Sequence, residues 1–160
     1  MNNKNVIWEK TRVFALRTVK LYSYLQSNYK EYVMSKQLLR CGTSIGANVA
    51  ESKYAQSLLD FVNKMSIALK EASETEYWIT LLYQSEYLNK QEFDSLNTDI
   101  REIIKILSSI ILTNKNKIRK KEEDKKKLRL QKENSYFLLL NFLLVKTSTK
   151  LYLTPFLTGC

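Results

Sequence analysis

The sequence predicts an all-α fold: an antiparallel up-down-up-down four-helix bundle over residues 1–118, followed by a basic, then apolar, C-terminal extension over 119–160. Three observations predict it. Strong turn formers are scarce, with 3 Gly and 1 Pro in 160 residues, whereas an all-β sandwich or barrel needs a turn roughly every 8–12 residues. Apolar residues recur at spacings of 3 and 4, the period of a helix with one buried face. The links between these periodic stretches are short, which makes successive helices antiparallel neighbours.

The first helix is expected over about 5–28. Ile7, Phe14, Leu21 and Leu25 fall within about 40° of one another at 100° per residue, a single core stripe. The second is expected over about 36–55, with Ser35 as N-cap and Leu38, Cys41, Ile45, Val49 and Ser52 on its stripe. Its middle is crowded with small residues. Gly42 and Gly46 each cost roughly 1 kcal/mol relative to Ala inside a helix, so two of them four apart predict the close approach of another backbone.

The third helix is expected over about 58–88, capped by Ser57 with Asp60 near the positive end of the dipole. Phe61, Met65, Ala68, Ala72, Thr75, Ile79 and Leu82 form its main stripe, while Val62, Ile67, Leu69 and Trp78 lie off it. Apolar groups beyond one face suggest packing both within the bundle and against another subunit. Asn89 is expected to stop this helix. The fourth, over about 91–118, carries Phe93, Leu96, Ile100, Ile103, Leu107 and Ile110 at alternating spacings of 3 and 4, a heptad seam.

Composition also bounds the chemistry. With 0 His, His-based triads, general bases and metal ligands are excluded. Cys41 and Cys160, the only cysteines, make neither a disulfide framework nor a metal site. No cofactor, metal or small-molecule substrate is expected, and no enzymatic activity. Glu51 and Glu74 as paired carboxylates are a weak signal without a third acid or a nucleophile. On helix two, Ser44, Asn48 and Glu51 border the apolar stripe and face Lys64, Glu71, Glu74 and Thr75 of helix three. Hydrogen bonds between the two helices that fix their register are expected there.

The net charge is +10, unevenly spread: residues 1–114 hold 14 basic and 12 acidic groups, and residues 115–160 hold 12 and 4. Lys10, Arg17 and Lys20 share a flank of helix one beside Tyr24, and Lys36 and Arg40 share the outer face of helix two. With Arg119, Lys120, Lys121, Lys125, Lys126 and Lys127, these are the candidate phosphate-contacting cations. The competing reading is a solvated exterior. The apolar run YFLLLNFLLV, Tyr136 to Val145, is too short to span a bilayer. A packed or aggregation-prone extension outweighs an interfacial membrane segment. The N-terminus lacks the apolar stretch of a signal peptide, so the cytoplasm is the expected compartment.

Residues 36–78 carry a family resemblance. SIGANVAES, Ser44 to Ser52, and IALKEASETEYW, Ile67 to Trp78, resemble the signatures of the 23S ribosomal RNA intervening-sequence proteins, whose relatives include the accessory variability proteins of diversity-generating retroelements. The resemblance covers about residues 8–114. It implies an antiparallel four-helix bundle, a ring-like homo-oligomer (a pentamer), and no known enzymatic activity. The retroelement relatives associate with nucleic acid and with a reverse transcriptase. RNA or DNA, a nucleic-acid-processing protein and further copies of the chain are therefore the partners implied. The alternative is a structural or protein-interaction scaffold that binds no nucleic acid.

Overall fold

The structure, a computed structural model, describes residues 3–151, with side-chain surroundings for residues 6–141. Its elements are α1 (Asn3–Tyr29), α2 (Met34–Glu51) with a 3-10 turn at Ser52–Tyr54, α3 (Leu58–Gln84) and α4 (Lys90–Leu151). Among the described residues there is no strand, and the chain divides into two units between Ile118 and Arg119.

The first unit is an all-α four-helix bundle built on the apolar stripes. Ile7, Phe14, Leu25, Leu38, Ile45, Val49, Met65, Ala68, Ala72, Ile79, Leu82, Leu96, Ile100, Ile103 and Leu107 are all buried in one core. Phe61 is only half-buried, packed on the edge of that core, and its neighbour Val62 takes the buried position instead. The remaining off-stripe residues of α3 divide: Leu69 and Trp78 pack against the core, while Ile67 stays exposed. Two threonines of α1, Thr11 and Thr18, join the core. Their hydroxyls donate within the helix to the carbonyls of Ile7 (2.9 Å) and Phe14 (3.0 Å), which removes the cost of burying them unpaired.

Those threonines explain the small-residue middle of α2. A Cβ on Gly42 would lie 2.8 Å from both Oγ1 and Cγ2 of Thr18, whereas one on Gly46 would come no nearer than 3.5 Å to Thr11, at its carbonyl oxygen. Thr18 is β-branched and tied to the Phe14 carbonyl, so it cannot turn aside cheaply. Gly42→Ala is therefore expected to destabilise the bundle by about 1–3 kcal/mol. Gly46→Ala meets an ordinary contact and gains helix propensity, for a stabilisation of up to about 1 kcal/mol. Urea midpoints of the two variants should move in opposite directions, and a Gly42→Ala midpoint at or above the parent's would contradict the close approach.

The helix ends differ in part from expectation. Ser57 caps α3 as expected, accepting from the Asp60 N–H at 3.0 Å. Ser35 does not cap α2 but lies inside it. The cap is the carboxylate of Glu31, which accepts from the backbone N–H groups of Val33 (2.9 Å), Met34 (2.8 Å) and Ser35 (2.7 Å). Burial pushes the Glu31 pKa up, but the N–H bonds from Ser35, Met34 and Val33, with the Ser35 hydroxyl, outweigh it and hold the carboxyl below its ordinary value of 4.5. A depressed folded pKa contributes stability that is complete above the unfolded value and lost as pH falls through the folded one. Glu31→Ala should cost about 0.5–2 kcal/mol at neutral pH. The gap between parent and variant should narrow as the pH drops below 4.5, and thermal midpoints across that range check both the size and the sign.

Helix α3 ends four residues earlier than expected, at Gln84, and Asn89 does not terminate it. Glu86 adopts a left-handed conformation (φ 62°). The Tyr87 N–H returns to the Leu82 carbonyl and the Glu86 N–H to that of Tyr83, at 2.9 and 3.0 Å, which is a Schellman ending. Asn89 instead opens α4 through a reciprocal capping box: its Oδ1 accepts from the Glu92 N–H and its own N–H donates to Glu92 Oε2, both at 2.9 Å.

The largest departure is the length of α4, expected to end near 118 and helical to Leu151. Residues 119–141 are exposed throughout, so no core dictates this helix. Strong local propensity does: Lys, Arg, Glu, Gln and Leu dominate the segment, and no Gly or Pro occurs between Gly46 and Pro155. Arg119–Glu123 (3.8 Å) and Arg129–Glu133 (3.1 Å) add ion pairs one turn apart.

Candidate functional site

The cations expected to form a binding surface fall into two groups. Those on the bundle are largely answered by acids on neighbouring helices. Lys10 Nζ contacts Glu102 Oε2 at 2.8 Å. Arg17 pairs with Asp99 and also donates to Ser95 Oγ at 2.9 Å. Arg40 pairs with Glu74, approaches Glu71 Oε2 at 3.7 Å, and donates to Gln37 Oε1 at 3.3 Å. Lys20 and Lys36 are exposed and carry no ion pair among the described residues. The shared flank of helix one is thus a line of interhelix ion pairs, with Lys20 left over.

The second group lies on α4. From Lys115 to Lys132 the chain carries ten basic and three acidic residues, every one of them exposed. Arg119 and Arg129 are engaged one turn along the helix, whereas Lys120, Lys121, Lys125, Lys126 and Lys127 carry no ion pair among the described residues. A helix spreads such a run over its whole circumference at 100° per residue, so positive charge faces every side of this segment.

The family-motif polar residues do structural work, though not wholly as expected. Glu51 accepts from Lys64 of α3 at 2.6 Å, and Glu71 and Glu74 answer Arg40 of α2. These bonds tie α2 to α3. Asn48 does not cross to α3: its Nδ2 donates back to the Ser44 carbonyl at 2.9 Å. Thr75 likewise donates to the Glu71 carbonyl of its own helix, at 2.7 Å. The Glu74 pKa is held below the carboxylate range, first by the Arg40 guanidinium, against partial burial, with help from the Trp78 indole N–H at 3.3 Å. A charged, paired carboxylate of this kind is poorly suited to general-base work.

Glu51 and Glu74 do not meet. Their partners on α2 and α3 place them far apart: Glu51 sits opposite Lys64, ten residues from Glu74, a rise of about 15 Å along α3. Among the described residues no three of His, Cys, Asp and Glu are grouped to hold a metal ion. The Cys41 thiol is buried, and desolvation raises its pKa, with smaller opposing help from Thr75. It is a core residue rather than a nucleophile. Sequence reasoning missed two contacts that the fold creates: Lys53 Nζ stands 3.7 Å from the Trp8 ring centroid, and Tyr24, Tyr29 and Tyr87 form an edge-to-face chain with centroids 5.8 and 5.4 Å apart. Both depend on the register of α1 against other segments, which periodicity does not report.

Among the described residues no helix is long and apolar enough to cross a membrane. No curated protein matches the chain. Among solved structures, the chain is similar to a protein with unknown function from the S23 ribosomal protein family of Bacteroides thetaiotaomicron, at 54% identity and a TM-score of 0.68, over 69% of this chain and 98% of that one. The model of the 23S rRNA-intervening sequence protein family matches residues 3–109, the stretch that holds both signature motifs and most of the four-helix core, and the chain therefore belongs to that family.

Proposed function

We propose that this chain is a non-enzymatic, homo-oligomeric bundle that associates with RNA or DNA through phosphate-contacting cations, chiefly those of α4 between Arg119 and Lys127. The observation that carries this reading is the exposed run of ten basic and three acidic residues from Lys115 to Lys132. Free cations on a helix attract the phosphate backbone without reading bases. Lys20 and Lys36 add to this surface, while Lys10, Arg17 and Arg40 serve mainly as struts between helices. The setting is cytoplasmic, where a nucleic-acid-processing protein could share the same RNA or DNA. Val13, Leu16 and Val19 lie exposed along α1; this apolar strip supports self-association into the ring its family resemblance implies, and equally the rival reading of a protein-interaction scaffold.

Replacing Lys125, Lys126 and Lys127 together by Gln tests the reading. Affinity should fall alike for unrelated sequences, and the slope of log K against log salt should flatten by about 0.9 for each duplex-DNA phosphate that is no longer neutralised. A parent chain that shows no salt-dependent binding to either nucleic acid would leave the scaffold reading standing.

A further inference from the structure

The charged run of α4 does not stand alone. Leu128, Leu130 and Tyr136, Phe137, Leu138, Leu139 and Leu140 are all exposed, Tyr136 by 75% and Leu138 by 69%. Five successive apolar residues on a helix point in every direction around it. A helix that is apolar all round is normally buried in a protein core or in lipid. The sequence continues the run to Val145 and then returns to Lys146 and Lys150. The apolar stretch is thus ten residues long and bracketed by cations, and at 1.5 Å per residue it measures about 15 Å, half the hydrocarbon thickness of a bilayer.

Such a segment needs a partner that is anionic outside and apolar inside. Nucleic acid supplies the phosphates but offers no apolar medium for the leucines. A second copy of the helix supplies the apolar surface but not the charge. Side by side in parallel, two copies would juxtapose their lysine runs; antiparallel about the apolar stretch, they would set Arg129 and Lys132 near Lys150. The one acid between Lys132 and Val145 is Glu133, already paired with Arg129 at 3.1 Å. An anionic lipid surface satisfies both demands: headgroup phosphates for the lysines, the acyl boundary for the leucines, and an interfacial depth for Tyr136 and Phe137.

We propose that the α4 segment from Arg119 to Leu140 docks on anionic lipid surfaces, with its Lys/Arg run lying on lipid phosphates and its apolar run sunk into the interface without spanning the bilayer. The proposal is independent of the nucleic-acid reading, although the lysines are common to both. It makes the two ligands competitors for one charged run, with the leucines belonging to the lipid alone.

The test is co-sedimentation of the full chain, treated with nuclease, with vesicles of mixed phosphatidylglycerol and phosphatidylcholine, and with phosphatidylcholine vesicles as the neutral control. Binding should favour the anionic vesicles. The variant L138N/L139N, which adds no charge, should lose more than about tenfold in partitioning while keeping the parent's nucleic-acid affinity. Replacing Lys125, Lys126 and Lys127 by Gln should lower partitioning on the order of a hundredfold. In Y136W, tryptophan emission from the segment should shift to the blue on adding anionic vesicles, reporting burial in the interface. The proposal is overturned by an absence of binding to anionic vesicles, by binding that L138N/L139N retains in full, or by a self-association that L138N/L139N abolishes in a chain that ignores vesicles.

Discussion

Replacing Ile103 by alanine is expected to lower the stability of the bundle by about 2–5 kcal/mol. Ile103 is 1% exposed and sits in the α4 seam between Ile100 and Leu107, both fully buried. The cost has two parts, the lost transfer of three carbons from water and the cavity that rigid neighbours fail to fill. Leu112, on the same helix and 62% exposed, serves as the control: its alanine variant should stay within about 0.5 kcal/mol of the parent. Two-state urea unfolding of both variants measures the difference. A loss below half a kcal/mol at Ile103 would contradict the seam.

Ending the chain after Ile118 is expected to separate folding from binding. Among the described residues all buried core residues lie between Ile7 and Ile111, so the shortened chain should keep a helical circular-dichroism spectrum and cooperative unfolding. Its oligomeric state should match the parent's, since Val13, Leu16 and Val19 of α1 remain. Nucleic-acid affinity should fall by on the order of a thousandfold at low salt, because phosphate neutralisation dominates sequence-independent binding and the deletion removes ten Lys and Arg residues against four acids. An unfolded fragment would make the segment beyond 118 part of the bundle. A folded fragment with unchanged affinity would move the binding surface to Lys20, Lys36 and their neighbours.

What could be read from the sequence follows from where the physics is local. The α4 seam from Phe93 to Ile110 was legible because burial imposes a period, and a period survives in one dimension. The close approach at Gly42 was legible because a glycine inside a helix is costly without a reason, although its partner, Thr18, was not, since nothing in a sequence sets the register of α1 against α2. Helix ends were less legible. Glu86 takes a left-handed conformation with no glycine to mark it, and the cap of α2 comes from Glu31, a carboxylate out in the connection, rather than from the serine beside the helix. The continuation of α4 past 118 was hidden because its signal is propensity without periodicity.

The candidate site was legible only as a set of charges. Lys10 and Arg17 share a flank, as their spacing requires, but Glu102 and Asp99 stand opposite them. That neutralisation is a consequence of tertiary register. In the same way Glu51 and Glu74 look like a pair in sequence and are held apart by Lys64 and Arg40. The run from Arg119 to Lys127 escapes this ambiguity, since residues 119–141 are exposed throughout.

The most direct measurement of the central claim, that α4 beyond the bundle carries the nucleic-acid binding of this family member, is the salt dependence of duplex binding for the full chain beside the chain ended at Ile118. Neutralising roughly six to ten phosphates would give the full chain a slope of log K against log salt of about −5 to −9, with a nearly flat line for the shortened chain. Equal slopes for the two chains would contradict the claim.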